Sequence, residues 1–154
     1  DLRMVVSVLK AISDIERVGD KARKIARLGI SLAKQPGNLN IELSHMAEIA
    51  LRMLRLALDG FARLDVSLVT EAMRLDSQVN AEYQSIARQL ITYMMEDPRK
   101  ITRSLDILSI AKAVERIGDH ATNIGEYVIY MVKGFNVRHA STAEIEARMA
   151  SDEG

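Results

Sequence analysis

The 154-residue chain has no cysteine and no tryptophan, only two prolines, and 4% aromatic residues. Without cysteine there is no disulfide, no thiolate metal site and no thiol nucleophile, which fits the cytosol. With so few aromatics, the base-stacking platforms used on single-stranded nucleic acid are missing. Charge of one sign is also missing: 21 basic residues balance 21 acidic ones, for a formal net charge of zero. Nothing in that balance drives the chain toward nucleic acid. No apolar run reaches the roughly 18 residues that a membrane span needs, and no stretch reads as a signal peptide. What is abundant is Leu, Ala, Ile, Met, Arg and Glu. With so little proline, that composition predicts an all-α protein.

One stretch occurs twice. Glu16-Arg17-Val18-Gly19-Asp20 returns as Glu115-Arg116-Ile117-Gly118-Asp119. The register holds around both copies, with Leu9, Ala22, Ile25, Ile30 and Lys34 matched by Leu108, Ala121, Ile124, Ile129 and Lys133. An internal repeat of this kind usually reveals the architecture. Here the repeated unit reads as a long helix with a carboxylate stripe.

Positions i and i+4 of a helix lie on one face, about 40° apart. Glu16 and Asp20 are therefore neighbours, as are Glu115 and Asp119. Like charges so placed oppose the helix by roughly 0.2–0.5 kcal/mol, so a cation is expected near each pair. In the second copy Thr122, Asn123 and Glu126 carry the stripe two turns further. Three carboxylates and an amide on one ridge suit a hard or borderline cation such as magnesium, calcium, manganese or iron. In the first copy Arg23, Lys24 and Arg27 stand at those positions, and Arg23 and Lys24 can neutralise Asp20 themselves. Two readings stay open for each copy. Helix-surface ion pairs are favoured for Glu16 and Asp20, and a bound cation is favoured for Glu115 and Asp119.

The doubled E-R-x-G-D, the D-H-A-x-N-I-x-E of the second copy and the following Tyr127-Val128-Ile129-Tyr130 resemble the PhoU family of bacterial phosphate-signalling regulators. The resemblance covers nearly the whole chain. It implies three-helix bundles whose last helices carry an E/D-x-x-x-D motif, and in several members these motifs hold single metal ions or multi-iron clusters. On that pattern residues 1–35 are the last helix of an incomplete first repeat, residues 36–134 a complete second repeat, and 135–154 a flexible tail. The chain opens on Asp1, already in helical periodicity, and reads as a fragment. The resemblance also implies a cytoplasmic adaptor that restrains the phosphate-starvation response, bridging a phosphate ABC transporter and a sensor histidine kinase.

Four long helices follow from periodicity. The first, over residues 2–34, has its seam at Val8, Ala11, Ile15, Val18, Ala22, Ile25, Gly29 and Leu32, and Gln35-Pro36-Gly37-Asn38 ends it. A second runs over 39–62 with Asn38 as its cap. One of its seams is Leu39, Leu43, Met46, Ala50, Met53, Ala57 and Gly60, and the other is Leu51, Leu54, Leu58 and Phe61. Two apolar faces imply burial on two sides or a partner chain. A third runs over 66–96 from an Asp65 cap. Asp76 falls in its otherwise apolar seam, where a carboxylate needs a partner. The fourth starts at Asp97-Pro98 and stops at Gly134. Its seam is Ile107, Ile110, Val114, Ile117, Ala121, Ile124, Val128 and Met131. Glu115 lies about 200° from Ile117 on that helix, which puts the ridge on the bundle surface. In the tail, Thr142–Arg148 can form a short helix, with Ser151–Gly154 frayed.

The leading functional reading is a non-catalytic regulatory adaptor with a surface carboxylate metal site on Glu115, Asp119, Asn123 and Glu126, and on Glu16 and Asp20. A solvated basic face is the favoured reading of Arg17, Arg23, Lys24 and Arg27; the sharper one makes them, with Arg116 matching Arg17 in the second copy, a partner-binding patch. A homodimer exchanging helix 1–34 would bury the first seam. One rival reading is a metal-free structural oligomer. Another is a di-metal carboxylate enzyme, which needs carboxylates and histidines converging in the core. The E-x-x-H at Glu42–His45 is a lone copy, so His45 is expected at the surface.

Overall fold

The computed structural model describes residues 1–134 and 141–153. Its elements are α1 (Leu2–Lys34), α2 (Ser44–Arg63), α3 (Val66–Arg74), α4 (Asp76–Glu96), a 3-10 turn (Pro98–Lys100), α5 (Ile101–Lys133) and α6 (Thr142–Asp152). Among the described residues there is no strand.

Local chemistry sets most helix ends. Asp65 caps α3 by accepting from the Ser67 and Leu68 amides. Asp97 accepts from the Arg99 amide, and Pro98 then opens the 3-10 turn that leads into α5. Gly134 closes α5 in the left-handed conformation, at φ 78°, which glycine adopts without a Cβ penalty. The start of α2 differs from expectation. Residues 39–43 are not helical, and Ser44 instead donates both its amide and its hydroxyl to the Glu42 carboxylate. Asn38 caps nothing, and buried Leu39 tucks into the core ahead of the helix.

The helix expected over 66–96 is divided at Leu75. There the ladder tightens to i→i+3 bonds, Leu75 to Ala72 and Gln78 to Leu75, each 3.1 Å. The Ser77 hydroxyl reaches the Arg74 carbonyl at the same place. The segment after residue 140, expected as a flexible tail, carries α6. A capping box between Ser141 and Glu144 starts this helix, which runs on through Ser151 and Asp152. Ile145 is fully buried against Val69, Met73, Val128 and Ile129.

α5 is the central rod, touching α1, α2, α3 and α4. The main core joins Met46 and Met53 of α2, Val79, Ile86 and Leu90 of α4, and Ile107, Val114, Ala121 and Ile124 of α5. Met46 and Met53 are fully enclosed, where a flexible thioether fills irregular space. Gly60 lets the α2–α3 corner close: a Cβ there would meet Val69 Cγ1 at 2.5 Å and the Asp65 carbonyl at 3.1 Å. On the second face of α2, Leu54 and Phe61 pack against the core while Leu51 and Leu58 stay exposed.

The face of α1 differs from the apolar seam. Ala11, Ile25 and Leu32 do turn inward, but beside buried Ser7 and Asp14. The other half of the expected seam, Val8, Ile15, Ala22 and Gly29, is exposed. α1 lies on α5 of its own chain, and two buried polar residues set its rotation.

Candidate functional site

Two polar constellations flank α5, one on each side. On the α4 side stand Asp76, Glu115 and Asp119. Glu115 is 8% exposed, so the ridge does not face solvent as its angle from the seam suggests. With α1, α2 and α4 all packed on α5, off-seam positions are covered too. Glu115 accepts from the Lys112 ammonium at 2.5 Å, and the same ammonium lies 4.9 Å from the Tyr83 ring centroid. Asp76 takes one hydrogen bond, from the Asn80 amide at 3.2 Å, and its Oδ1 is buried without a partner. Thr122 Oγ1, one turn beyond Asp119, is also buried without one.

The electrostatics follow from this crowding. Burial pushes the Asp76 carboxyl above its ordinary range; the Asn80 hydrogen bond opposes this, and the Glu115 charge adds to it. Burial likewise raises Asp119, with further upward pushes from Asp76 and then Glu115, against smaller opposing effects of Arg116 and Lys112. The charges thus act on one another across α4 and α5. Among the described residues, however, no three His, Cys, Asp or Glu side chains stand close enough together to hold a metal ion as they are placed. Asp76, Glu115 and Asp119 share an electrostatic neighbourhood and a donor chemistry suited to hard cations, with Lys112 supplying the present counter-charge to Glu115.

On the α1 side the central group is Asp14, 2% exposed. Its Oδ1 lies 2.7 Å from His120 Nδ1 and accepts from the Asn123 amide at 3.1 Å. Its Oδ2 accepts from the Tyr127 hydroxyl at 2.6 Å. His120, Asn123 and Tyr127 occupy one face of α5 at i, i+3 and i+7. The Asn123 amide is therefore directed to Asp14, away from Asp119. Glu126 lines a cleft between α1 and α5 that Asp14, Asn123 and Tyr127 also line. Asp14 was not expected to have any role. The signal for it was an acid at the right step between Ala11 and Val18 on the inward stripe of α1.

The first copy of the motif is apart from both. Glu16 and Asp20 are exposed, and Asp20 pairs with Arg23 at 3.7 Å, the ion-pair arrangement favoured from sequence. Of the expected basic patch, Arg17, Arg23 and Arg27 are exposed and Lys24 is half-buried. Arg116 is exposed too, and with Arg17, Asp20, Lys21 and His120 it lines a small hollow of about 330 Å³. His45 is exposed and meets Glu82 at 2.8 Å rather than Glu42.

An all-helical bundle with a doubled E-R-x-G-D helix pair defines the class: a helical-bundle protein built on a repeated helix. Comparison with known proteins narrows this. The model of the PhoU domain matches residues 43–128. The phosphate-specific transport system accessory protein PhoU homolog of Pseudomonas putida is 42% identical over 99% of this chain, which covers 62% of that protein. The Escherichia coli (strain K12) accessory protein PhoU is 40% identical over 97% of the chain and is 63% covered. The crystal structure of PhoU from Pseudomonas aeruginosa superposes with a TM-score of 0.82 at 44% identity, over 88% of this chain and 66% of that one. That of the phosphate transport system regulatory protein PhoU from Streptococcus pneumoniae gives 0.79 at 29% identity, over 89% and 65%. The chain belongs to the PhoU family, and it spans a little under two thirds of the length of these curated relatives. No helix of the described residues is long and apolar enough to cross a membrane.

Two outcomes follow from the geometry. Asp14→Ala leaves three donors on α5 without their acceptor; it is expected to cost about 2–4 kcal/mol in urea unfolding and to speed amide exchange in α1 ahead of α5. Asp119→Asn acts in the other direction. A carboxyl raised in the folded state binds its proton more tightly there, so its destabilising effect is full above the raised value and fades as pH falls through it. Asp119→Asn is expected to raise the melting temperature at neutral pH and to lose that advantage near pH ~4, the ordinary carboxylate range. A calorimetric series across that interval checks it.

Proposed function

We propose that this protein is a non-catalytic regulatory adaptor of phosphate homeostasis. In this reading it is cytoplasmic, restrains the phosphate-starvation response, and links a phosphate ABC transporter ATPase to a sensor histidine kinase. The observation that carries the reading is the family match over almost the entire chain, to proteins named for phosphate-specific transport. Arg17 and Arg116, exposed on adjacent helices beside one hollow, are the residues we assign to an acidic partner surface, with Arg23, Lys24 and Arg27 continuing it along α1.

A metal site belongs to the same proposal, on a revised residue set. Asp76, Glu115 and Asp119 are its carboxylates. The partnerless Asp76 Oδ1 and the raised Asp76 and Asp119 carboxyls are what support it. A divalent or trivalent ion there would neutralise crowded negative charge and join α4 to α5. Glu16, Asp20, Asn123 and Glu126 have other surroundings and supply less to such a site.

The domain reading is also carried forward. The outward stripe of α1 (Val8, Ile15, Ala22, Gly29) corresponds in the repeat to Ile107, Val114, Ala121 and Val128, which are buried in this structure. That correspondence supports α1 as the last helix of a first repeat and marks its outward stripe as made to be covered by helices. A second copy exchanging 1–34 remains an alternative cover.

Two measurements test the reading. Purified protein is expected to bind the reconstituted transporter and the kinase, with Arg17→Glu/Arg116→Glu weakening capture about tenfold or more at low salt; binding to neither sinks the adaptor reading. Elemental analysis is expected to find metal in the parent and none in the folded Glu115→Ala/Asp119→Ala variant. No metal in either, after loading with iron, manganese and magnesium, removes the metal site and leaves the adaptor reading intact.

A further inference from the structure

The cleft between α1 and α5 opens beside the Asp14 constellation, and Asp14, Asn123 and Tyr127 form part of its wall. It measures about 410 Å³, within the roughly 300–1,000 Å³ typical of small-molecule sites. Ser7, Lys10, Ser13 and Arg17 line it from α1, and Asn123 and Tyr130 line it from α5. The α1 residues recur at i, i+3, i+6 and i+10, so they extend about 15 Å along the helix.

Its donors outnumber its free acceptors. Ser7 is 1% exposed and its Oγ has no hydrogen-bond partner, a state that costs roughly 1–3 kcal/mol if left so. Lys10 lies 5.9 Å from the Tyr127 ring centroid, and among the described residues neither Lys10 nor Arg17 has an ion-pair partner. The two acids at the cleft are engaged. Asp14 receives its three hydrogen bonds from α5, and Glu126 has an interaction of its own.

We infer that this cleft binds a small organic oxyanion, a phosphate ester or a carboxylate. Lys10 and Arg17 hold the charge from the rim, and the Ser7 and Ser13 hydroxyls donate from the floor. Lys10 and Arg17 flank Ser13 along the cleft, about two turns apart on α1. Tyr130 offers an aromatic wall to the rest of the ligand. The site is independent of the metal reading, since no carboxylate of the α4 side lines it.

The test is calorimetric titration of the protein with inorganic phosphate, adenosine monophosphate and succinate in turn. At least one is expected to bind with Kd below about 1 mM. Lys10→Ala is expected to weaken it about tenfold or more, and Ser7→Ala to weaken it while leaving the helical circular dichroism unchanged. Arg88→Ala, on the exposed side of α4, is the control and leaves it unaltered. Preference for adenosine monophosphate assigns a phosphate ester and preference for succinate a carboxylate, whereas inorganic phosphate binding as tightly as either overturns an organic ligand. No heat from any probe up to about 10 mM overturns the inference. So does an Arg88 variant that loses as much affinity as the Lys10 one.

Discussion

The placement of α1 depends on a buried carboxylate. A charge taken out of water is tolerable only when its oxygens are fully hydrogen-bonded. Asp14 meets that condition with one ring nitrogen, one amide and one hydroxyl from a single face of α5. The three donors are spaced so that only one rotation and one height of α1 serve all of them. Apolar packing is permissive by comparison, because several rotations of a helix rich in Val, Leu, Ile and Ala bury similar area. The polar contact chooses among them.

That choice explains the open face of α1. Once Ser7, Ala11 and Asp14 turn inward, Val8, Ile15, Ala22 and Gly29 must turn out. Of their repeat counterparts in α5, Ile107, Val114 and Ala121 pack with α2 and α4, and Val128 with α3 and α6. The two long helices are thus the same design with different neighbours. The small residues show this well. Gly118 sits against Met53 and Val79, whereas nothing approaches Gly19 within 4 Å. A stripe that is small and apolar in both copies but covered in only one has kept the form of an interface.

Legibility in the sequence divides along this line. Helix existence and most ends could be read, because Asp65, Asp97-Pro98, Gly134 and Pro36-Gly37 act locally through caps and dihedral limits. The seams of α2, α4 and α5 were legible because those helices bury faces that are mainly apolar. The seam of α1 was half legible. Its two heptad stripes look equivalent in sequence, and only one has a partner. The break at Leu75 has no Gly or Pro to announce it, and the late start of α2 depends on a Glu42–Ser44 turn that competes with helix. The carboxylate ridge was legible as a cluster but not in its surroundings. Whether Glu115 meets water is decided by α4, which comes from distant sequence.

The two sides of α5 treat negative charge in opposite ways. Asp14 has hydrogen-bond donors on both oxygens, so its charge is spread into a joint between helices. Asp76 has one amide for two oxygens, and Asp119 faces two like-charged neighbours. Both are therefore pushed toward holding protons. In a low-dielectric setting such crowding weakens with every cation brought close. Lys112 already serves Glu115, but it is tethered one turn away and shared with the Tyr83 ring. A bundle whose only task was stability would gain by replacing Asp76 or Asp119 with an apolar side chain. Carboxylates kept there at that cost are what the proposed metal site would account for, since a bound cation would relieve the crowding.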